Sequence, residues 1–440
     1  MTRPADHRDR HTLAITLSGD DRPGVTSALF AGLVADAGAP DLASVEILDV
    51  EQVLVRGQLT LGVLVSVDGV AAGDAVARRA RTVAESLGLR CQLAEGHGDQ
   101  APRRGSRMHV TLLGRPLRPA AVAAVTARLA ERGANIDRIR RMSAHPVTTL
   151  ELDVSGVPDL RDLRRDLTAT AAGTGVDVAV SPAGLGRHGR RLVVMDVDST
   201  LIQDEVIELL ARHAGRHAEV AAVTDQAMRG EIDFTESLHA RVAALAGLPE
   251  SILDEVRAGV RLTPGARTVA RTLRRLGYTL ALVSGGFHEI VDPLAASLGI
   301  RRVRANRLEI ADGRLTGRVL GAVVDRAAKA DVLRELAAAE DLPMDRTVAI
   351  GDGANDLDML AAAGLGIAFN AKPLVREQAD AAVTVPFLDT VLFLLGLTAD
   401  EIGETEQNTG VTEQHGGTTR TATGATGATD LSRPVTPAPA

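Results

Sequence analysis

The chain contains very few cysteine and aromatic residues, and each shortage argues against a class of protein. Among its 440 residues there are one cysteine, one tyrosine and no tryptophan, and aromatic residues make up 2% of the sequence. The lone Cys91 cannot form a disulfide within the chain, which favours a reducing compartment over secretion. The scarcity of aromatic side chains, together with a net charge of −8, argues against a general nucleic-acid binder.

Long hydrophobic runs are missing as well. The N-terminal segment MTRPADHRDRH carries charges but no apolar core, and the apolar stretches are too short to cross a membrane. We therefore expect a cytoplasmic protein that binds neither a membrane nor nucleic acid. Lysine is almost absent too, because Lys329 and Lys372 are the two lysines among 49 basic residues. Each lysine is informative for that reason.

The first half of the chain has the pattern of a tandem repeat. Residues 9–97 begin with the strand-like HTLAITL and continue into the amphipathic SALFAGLVADAGA. Residues 106–182 repeat this order with MHVTLLG and AAVAAVTARLAERGA. Each copy predicts strand, helix, two strands, helix and strand, written βαββαβ. The polar, turn-rich GHGDQAPRRGSR between the copies is typical of a linker.

The second half has the pattern of a parallel α/β domain. From residue 189 to residue 398, the apolar runs RLVVM, YTLALVS, RTVAIG and LGIAF alternate with amphipathic helices. Ligands of such sheets bind at the carboxyl ends of the strands, so the residues that follow these runs are the candidate site. Residues 400–440 consist largely of Thr, Gly, Ala and Pro, and we expect a disordered tail there.

Two acidic residues follow the first of these apolar runs, in RLVVMDVDSTLI. In an extended chain Asp196 and Asp198 share one face, and two neighbouring carboxylates repel unless a cation or a proton lies between them. Carboxylates at this position suit Mg²⁺, which binds a few protein oxygens together with water and phosphate oxygens. The alternative is an acidic surface turn.

A second acidic cluster follows another apolar run, in RTVAIGDGANDLDML. We expect Asp352 to emerge beside the first pair and to complete the metal site. Asp356 lies one helical turn later and is expected to support the site from behind. The alternative is an ordinary helix with acidic residues in its first turn, where the helix dipole favours them.

The remaining two sites suit a phosphate group. In YTLALVSGGFHEI, Ser284 precedes two glycines and is predicted to begin a helix. The Ser284 hydroxyl and the main-chain N–H groups at the start of that helix are expected to bind phosphate. In DRAAKADVLREL, Lys329 offers a compact ammonium that neutralises a phosphoryl oxygen. A plain strand-to-helix junction and a solvent-facing lysine are the respective alternatives.

These four sites resemble, in the same order and over about 200 residues, the four motifs of the haloacid dehalogenase superfamily of phosphohydrolases. Three further segments resemble the phosphoserine phosphatases of that superfamily: DVDSTLIQDEVIELLA, AMRGEIDFTESLHARV and GIAFNAKPLVREQAD. The resemblance implies a Rossmann-like sheet with a helical cap at about 205–261. It also implies Mg²⁺-dependent hydrolysis of O-phospho-L-serine to L-serine and phosphate.

The resemblance also implies roles for individual residues. Asp196 is the implied nucleophile, which forms an aspartyl-phosphate, and Asp198 is the implied general acid and base. Mg²⁺ is expected at the Asp196 side chain, the Asp198 main-chain carbonyl and Asp352. The phosphoryl group is expected among Ser284, Gly285, Lys329 and Asn355. Glu205 is assigned to the ammonium of the substrate and Arg241 to its carboxylate, and the expected supporting residues are Met228, Phe234 and Asp356.

The two N-terminal copies resemble ACT domains, which are βαββαβ modules of ferredoxin-like topology that commonly bind amino acids and pair their sheets between subunits. The resemblance implies a homodimer formed through these domains and L-serine as an effector at the turn that contains Asp20 and Gly24. The second copy has Ala120 at the position of Gly24. The alternative for both copies is a dimerisation module without a ligand.

Two other functions stay open at this point. One is a phosphatase of the same superfamily that acts on another small phosphomonoester, such as phosphohomoserine or a phosphosugar. The other is an amino-acid sensor with an inactive phosphatase half. The second alternative is weakened because each predicted catalytic position holds a chemically competent residue.

Overall fold

The computed structural model describes residues 10–34, 45–95, 106–157, 159–184, 187, 189–228 and 232–404. The chain divides into two compact units, Met1–Arg104 and Gly105–Ala440. No helix in the described ranges combines the length and the apolar character needed to cross a membrane.

The first unit is a four-stranded antiparallel sheet with two helices. Its elements are β1 (Arg10–Asp20), α1 (Val25–Val34), β2 (Glu46–Val55), β3 (Gln58–Asp68), α2 (Val70–Ser86) and β4 (Arg90–Glu95). The strand order is β2-β3-β1-β4. Alternate residues of β1, namely Leu13, Ile15 and Leu17, are buried against the helices because successive side chains of a strand point to opposite faces.

The second unit begins with another module of the same kind. Its elements are β5 (Ser106–Gly114), α3 (Pro119–Glu131), β6 (Asn135–Ser143), β7 (Thr148–Val157), α4 (Leu160–Ala172) and β8 (Asp177–Pro182). The strand order β6-β7-β5-β8 is that of the first unit. Asp159 caps the N-terminus of α4, where its carboxylate accepts hydrogen bonds from the free N–H groups of Arg161 and Asp162. The predicted βαββαβ order is confirmed for both modules.

A seven-stranded sheet follows in the same unit. Its strands are β9 (Leu192–Met195), β10 (Thr279–Phe287), β11 (Arg302–Ala311), β12 (Arg314–Leu320), β13 (Thr347–Gly351), β14 (Leu365–Phe369) and β15 (Ala381–Val383). The order is β12-β11-β10-β9-β13-β14-β15, and the strands are parallel except for β12. The predicted α/β architecture with a parallel sheet is confirmed.

Helices pack on this sheet, and four further helices form a group of their own. The group between β9 and α9 comprises α5 (Val206–His213), α6 (His217–Met228), α7 (Phe234–Ala243) and α8 (Ile252–Gly259). The other helices are α9 (Ala266–Arg275), α10 (His288–Ser297), α11 (Arg326–Ala339), α12 (Leu357–Ala362), α13 (Pro373–Gln378) and α14 (Val391–Leu394). Within the first group α5 packs on α6 and α8, while α7 packs on α6 and β12.

The structure differs from the sequence-based expectations in three places. The β11–β12 hairpin was not expected, because its sequence mixes charged and apolar residues without an apolar run. Ser284 lies within β10, and the helix that it was predicted to open begins at His288. Residues 399–404 are helical, and Ile402 packs into the core, where the tail was expected to begin at residue 400. Residues 405–440 lie outside the described ranges.

Candidate active site

Two neighbouring strands bring the acidic residues together. Met195 ends β9 and pairs in register with Ile350 of β13, so Asp196 and Asp352 emerge at the same edge of the sheet. The main-chain N–H of Asp196 donates to the carbonyl of Ile350 at 2.9 Å. Carboxylate oxygens of Asp196, Asp352 and Asp356 all lie within 4.8 Å of one another. The sheet therefore builds a compact cluster of three carboxylates.

Lys329 lies among these carboxylates and places a positive charge beside them. Its Nζ donates to Oδ1 of Asp196 at 2.6 Å and to Oδ1 of Asp356 at 2.7 Å. The lysine is fully buried within α11. Burial alone would lower the pKa of Lys329, but the charges of Asp196 and Asp356 outweigh burial and raise it. Lys329 is therefore a buried cation that fixes two of the three carboxylates.

The carboxylate of Asp198 turns to a different set of partners. Its Oδ1 accepts from the main-chain N–H of Val206 at 2.7 Å, and its Oδ2 accepts from the hydroxyl of Ser284 at 3.2 Å. The chain reverses just after Asp198, because Ser199 has a left-handed backbone with φ of 56°. Burial raises the pKa of Asp198, which favours the protonated form that can donate a proton.

The Ser284 loop is held tightly against Asp198. The N–H of Gly286 donates to the Ser284 hydroxyl at 2.8 Å. A Cβ added at Gly286 would lie 2.9 Å from Oδ2 of Asp198, so a larger residue would displace that carboxylate. The side chain of Asn306 donates to the carbonyl of Gly285 at 2.8 Å and fixes the other side of the loop.

Glu205 and Arg241, which have opposite charges, lie on the side of the site that the helices between β9 and α9 form. Oε1 of Glu205 accepts from the hydroxyl of Ser199 at 2.9 Å. Burial and the neighbouring charge of Asp198 raise the pKa of Glu205 to about 7. Nε of Arg241 donates to the main-chain oxygen of Ser237 at 3.3 Å. Burial lowers the pKa of Arg241, and the charge of Glu205 opposes that change.

A cavity of about 700 Å³ joins the two sides. Its lining includes nearly all the predicted residues that can touch a ligand: Asp196, Asp198, Glu205, Phe234, Arg241, Gly285, Asp352 and Asn355. Ser284, Lys329 and Asp356 are buried behind that lining. Met228 ends α6, and its side chain lies outside what the structure describes.

The predicted effector turn belongs to the first unit. Asp20 ends β1, and its carboxylate accepts a hydrogen bond from the side chain of Gln58. Gly24 has φ of 95°, a left-handed conformation that favours glycine. In the second module the corresponding Ala120 lies in the first turn of α3.

Protein-family comparisons agree with this division of the chain. Residues 193–361 match the model of the haloacid dehalogenase-like hydrolases. Residues 11–93 and 106–181 each match a model of the ACT domain.

Comparisons with individual proteins are more specific. A phosphoserine phosphatase of Streptomyces coelicolor is 56% identical over 90% of this chain and 94% of its own length. The chain belongs to the phosphoserine phosphatase family. A second relative, from Mycobacterium tuberculosis, is 52% identical over 89% of this chain and 94% of its own. An unliganded crystal structure of a probable phosphoserine phosphatase from Vibrio cholerae has a TM-score of 0.53 and 35% identity, covering 70% of this chain and 91% of that one.

Thr200, Asn306 and Lys372 are among the residues of this phosphoserine phosphatase site to which the sequence analysis assigned no role. The buried Thr200 donates to Oδ1 of Asp352 at 3.0 Å, Asn306 fixes the Ser284 loop, and Lys372 lines the cavity. Thr200 belongs to the DVDST string and was within reach of a sequence argument. Asn306 lies on the unexpected strand β11, and no sequence pattern pointed to a role for it.

The carboxylate cluster of this family member fits a divalent cation. Asp352 and Asp196 present hard oxygen atoms of the kind that Mg²⁺ prefers. Burial raises the pKa of Asp196. The positive charge of Lys329 opposes this change, and the negative charges of Asp356, Asp198 and Asp352 add to it. Burial and the charge of Asp356 raise the pKa of Asp352 to about 6. One lysine does not balance this set of acids, and a second cation would.

Proposed function

We propose that the chain hydrolyses O-phospho-L-serine to L-serine and phosphate through an aspartyl-phosphate at Asp196, with Mg²⁺ as its cofactor. The observation that carries this proposal is the cavity itself. Its lining has metal-binding carboxylates on one side and an opposite-charge pair, Glu205 and Arg241, on the other. Phosphoserine has the complementary arrangement, with a phosphate at one end and an ammonium and a carboxylate at the other.

The first chemical step forms a covalent bond at Asp196. A carboxylate oxygen of Asp196 attacks phosphorus while the bond from phosphorus to the seryl oxygen breaks. Asp198, whose pKa burial raises, donates its proton to that seryl oxygen. The Val206 N–H and the Ser284 hydroxyl hold the Asp198 carboxyl for this transfer. L-serine leaves as a neutral alcohol.

The second step removes the phosphate from Asp196. A water molecule attacks phosphorus, and the bond between phosphorus and the Asp196 oxygen breaks. Asp198 is now ionised and accepts the proton of that water, so it ends the cycle in its starting form. Lys329 keeps the Asp196 carboxylate in place throughout, because it bonds Oδ1 directly.

The residues that would hold Mg²⁺ are Asp196, Asp352 and the main-chain carbonyl of Asp198. When bound, Mg²⁺ supplies positive charge that offsets the charge of the phosphoryl group. The Thr200 hydroxyl orients Asp352 toward this role, since it donates to Oδ1 and leaves Oδ2 for a ligand.

The cap side of the cavity accounts for the choice of substrate. A guanidinium can bond both oxygens of a carboxylate at once, so Arg241 suits the α-carboxylate. Glu205, when ionised, suits the ammonium group. A phosphosugar has neither charge and would leave these two buried charges with only their contacts to Ser199 and Ser237, which costs binding energy.

We also propose that the first unit forms a homodimer contact and that its Asp20–Gly24 turn binds L-serine. The edge strand β2 is exposed along its whole length, including Ile47, Val53 and Val55, which at 50%, 49% and 63% exposure are unusually open for apolar residues. Multi-angle light scattering of the full chain and of Val53→Glu tests the contact. A dimer that the substitution converts to a monomer supports the proposal, whereas a monomeric native chain contradicts it.

The activity is tested by phosphate release from the full chain. We expect turnover of phosphoserine with Mg²⁺, loss of turnover with EDTA, and recovery when Mg²⁺ is restored in excess. A hexose phosphate and phosphohomoserine serve as competing substrates. A kcat/KM for either that equals that of phosphoserine would contradict the substrate assignment, and the absence of any turnover would instead support the amino-acid sensor.

A further inference from the structure

A second cavity, of about 560 Å³, lies between the second βαββαβ module and the parallel sheet, both within the second unit. Residues of α4 and β8 form one wall, and residues of α13 and β15 form the other. The volume is in the range of small-molecule sites. None of the catalytic residues discussed above lines this cavity.

Two polar contacts hold the walls of this cavity in place. Nη1 of Arg164 donates to Oδ1 of Asp380 at 2.6 Å. The main-chain N–H and the hydroxyl of Thr384 both donate to Oδ2 of Asp177, at 2.7 Å and 3.1 Å. Each contact joins the module to the sheet across the cavity. The cavity therefore lies at an interface that these hydrogen bonds hold together.

The lining of the cavity suits a small organic anion. Four arginines and three acids line it: Arg161, Arg164, Arg165, Arg376, Asp177, Glu377 and Asp380. Arg164 is engaged by Asp380, but Nε of Arg376 is buried and has no hydrogen-bond partner among the described residues. That Nε has almost no surface in the cavity, so a ligand carboxylate meets the outer nitrogens of this guanidinium, which can bond both of its oxygens at once. Small apolar residues such as Ala172 and Val178 supply the rest of the surface.

Helix α13 separates this cavity from the active site. Pro373, Arg376 and Glu377 line the second cavity, whereas Lys372, Leu374 and Val375 line the catalytic one. One short helix thus presents neighbouring residues to both spaces. A ligand that bonds Arg376 acts on the same helix whose other residues contact the substrate cavity.

From these contacts we infer that the second cavity binds a small organic carboxylate with an apolar body, and that its occupancy changes substrate binding through α13. The carboxylate bonds Arg376, and the apolar body lies against the alanine and valine surface. By thermodynamic linkage, substrate and carboxylate change each other's affinity by the same factor. The binding itself does not depend on the proposed function, since it is measured without phosphoserine.

Titration calorimetry on the full chain tests the binding. The probes are benzoate, phenylacetate and indole-3-acetate, each paired with its uncharged primary amide. We expect at least one carboxylate to bind, with an affinity about tenfold higher than that of its amide, as a hydrogen bond to a charged group predicts. Arg376→Gln should weaken that carboxylate about tenfold. No binding by any probe, or equal binding of acid and amide, overturns the inference.

Two further variants distinguish binding in this cavity from a general effect of the protein's charge on the probe. Arg334→Gln removes an exposed arginine of α11 outside the cavity lining and should leave the affinity unchanged. Thr168→Phe places a ring in the cavity without removing a charge and should block binding. The KM of the full chain for phosphoserine is then measured with the bound probe present. A KM that the probe does not change, while it binds, overturns the link through α13.

Discussion

The strand-end half of the active site (Asp196, Lys329, Asp352 and Asp356) and its cap half (Glu205 and Arg241) satisfy their charges differently. In the strand-end half, Lys329 makes two hydrogen bonds of 2.6 Å and 2.7 Å to carboxylates. In the cap half, Arg241 makes a 3.3 Å contact to a main-chain oxygen, and the pKa of Glu205 is raised by burial. The proposed reactive groups are thus held in place by the protein, whereas in the proposed function the cap charges gain their best partners from the substrate.

This difference predicts that substitutions in the two halves affect kcat and KM differently. A fixed reactive group contributes to the transition state, so its loss lowers kcat. In the proposed function a cap charge contacts parts of the substrate that do not react, so its loss should raise KM more than it lowers kcat. Four predictions test this separation, beginning with the largest effect.

Replacing the nucleophile should have the largest effect. Asp196→Asn keeps the size of the side chain but removes the charge that attacks phosphorus, so we expect kcat to fall by a factor of about 10⁴ or more. Phosphate release measures the effect, and circular dichroism checks that the variant is folded. A folded variant with more than a tenth of native kcat would contradict the assignment of the strand-end half.

Removing the cap arginine should act on KM. Arg241→Gln deletes the guanidinium for the substrate carboxylate, and the loss of a charge-assisted hydrogen bond predicts a KM increase of about tenfold or more. We expect kcat to change by less than about threefold. Arg216→Gln, on an exposed arginine that pairs with Glu219, is the matched control and should change neither parameter. A fall in kcat with unchanged KM would place Arg241 with the reactive groups instead.

The pH dependence of KM should report Glu205. Its pKa is raised to about 7, so the carboxylate is mostly ionised at pH 8 and mostly protonated at pH 6. The substrate ammonium needs the ionised form, and we expect KM to rise up to about tenfold from pH 8 to pH 6. Glu205→Gln should have a high KM that varies less across this range. A native KM that is independent of pH would contradict the role of Glu205.

A substitution in the first unit should have the smallest effect on catalysis. Gly24 has a left-handed backbone in which a side chain is strained, so Gly24→Ala should distort the turn. We expect kcat and KM without effector to stay within about twofold of native, since neither half of the site is touched. Any effect of L-serine on the native rate should be lost. Ala120→Gly in the second module is the control, and an equal loss there would argue against the first turn as the effector site.

The sequence predicted those elements whose patterns are local. Uninterrupted apolar runs identified β9, β10, β13 and β14, and the acids after β9 and β13 are indeed close together. The β11–β12 hairpin was missed because only uninterrupted apolar runs were taken as strands of this sheet, whereas RVRANRLEIA mixes charged and apolar residues in the manner of a half-buried strand. Asn306 was missed with it.

Burial was the harder property to predict. Lys329 is on a helix with an ordinary amphipathic pattern, yet it is fully buried. Its burial depends on carboxylates that are 133 and 27 residues away in sequence. Likewise, the two-residue spacing predicted that Asp196 and Asp198 share one face of an extended chain, whereas the turn at Ser199 gives their carboxylates different partners. Such arrangements follow from tertiary contacts, which local periodicity does not contain.

Chemical trapping of the covalent intermediate tests the central claim most directly. The full chain is mixed with phosphoserine and Mg²⁺, quenched in acid within one turnover and treated with tritiated borohydride, which reduces an aspartyl-phosphate to homoserine. Peptide mass spectrometry then locates the labelled residue. We predict homoserine at position 196, aspartate at position 198, and no label when EDTA replaces Mg²⁺. Label at another residue, or none while phosphate is being released, would contradict the mechanism.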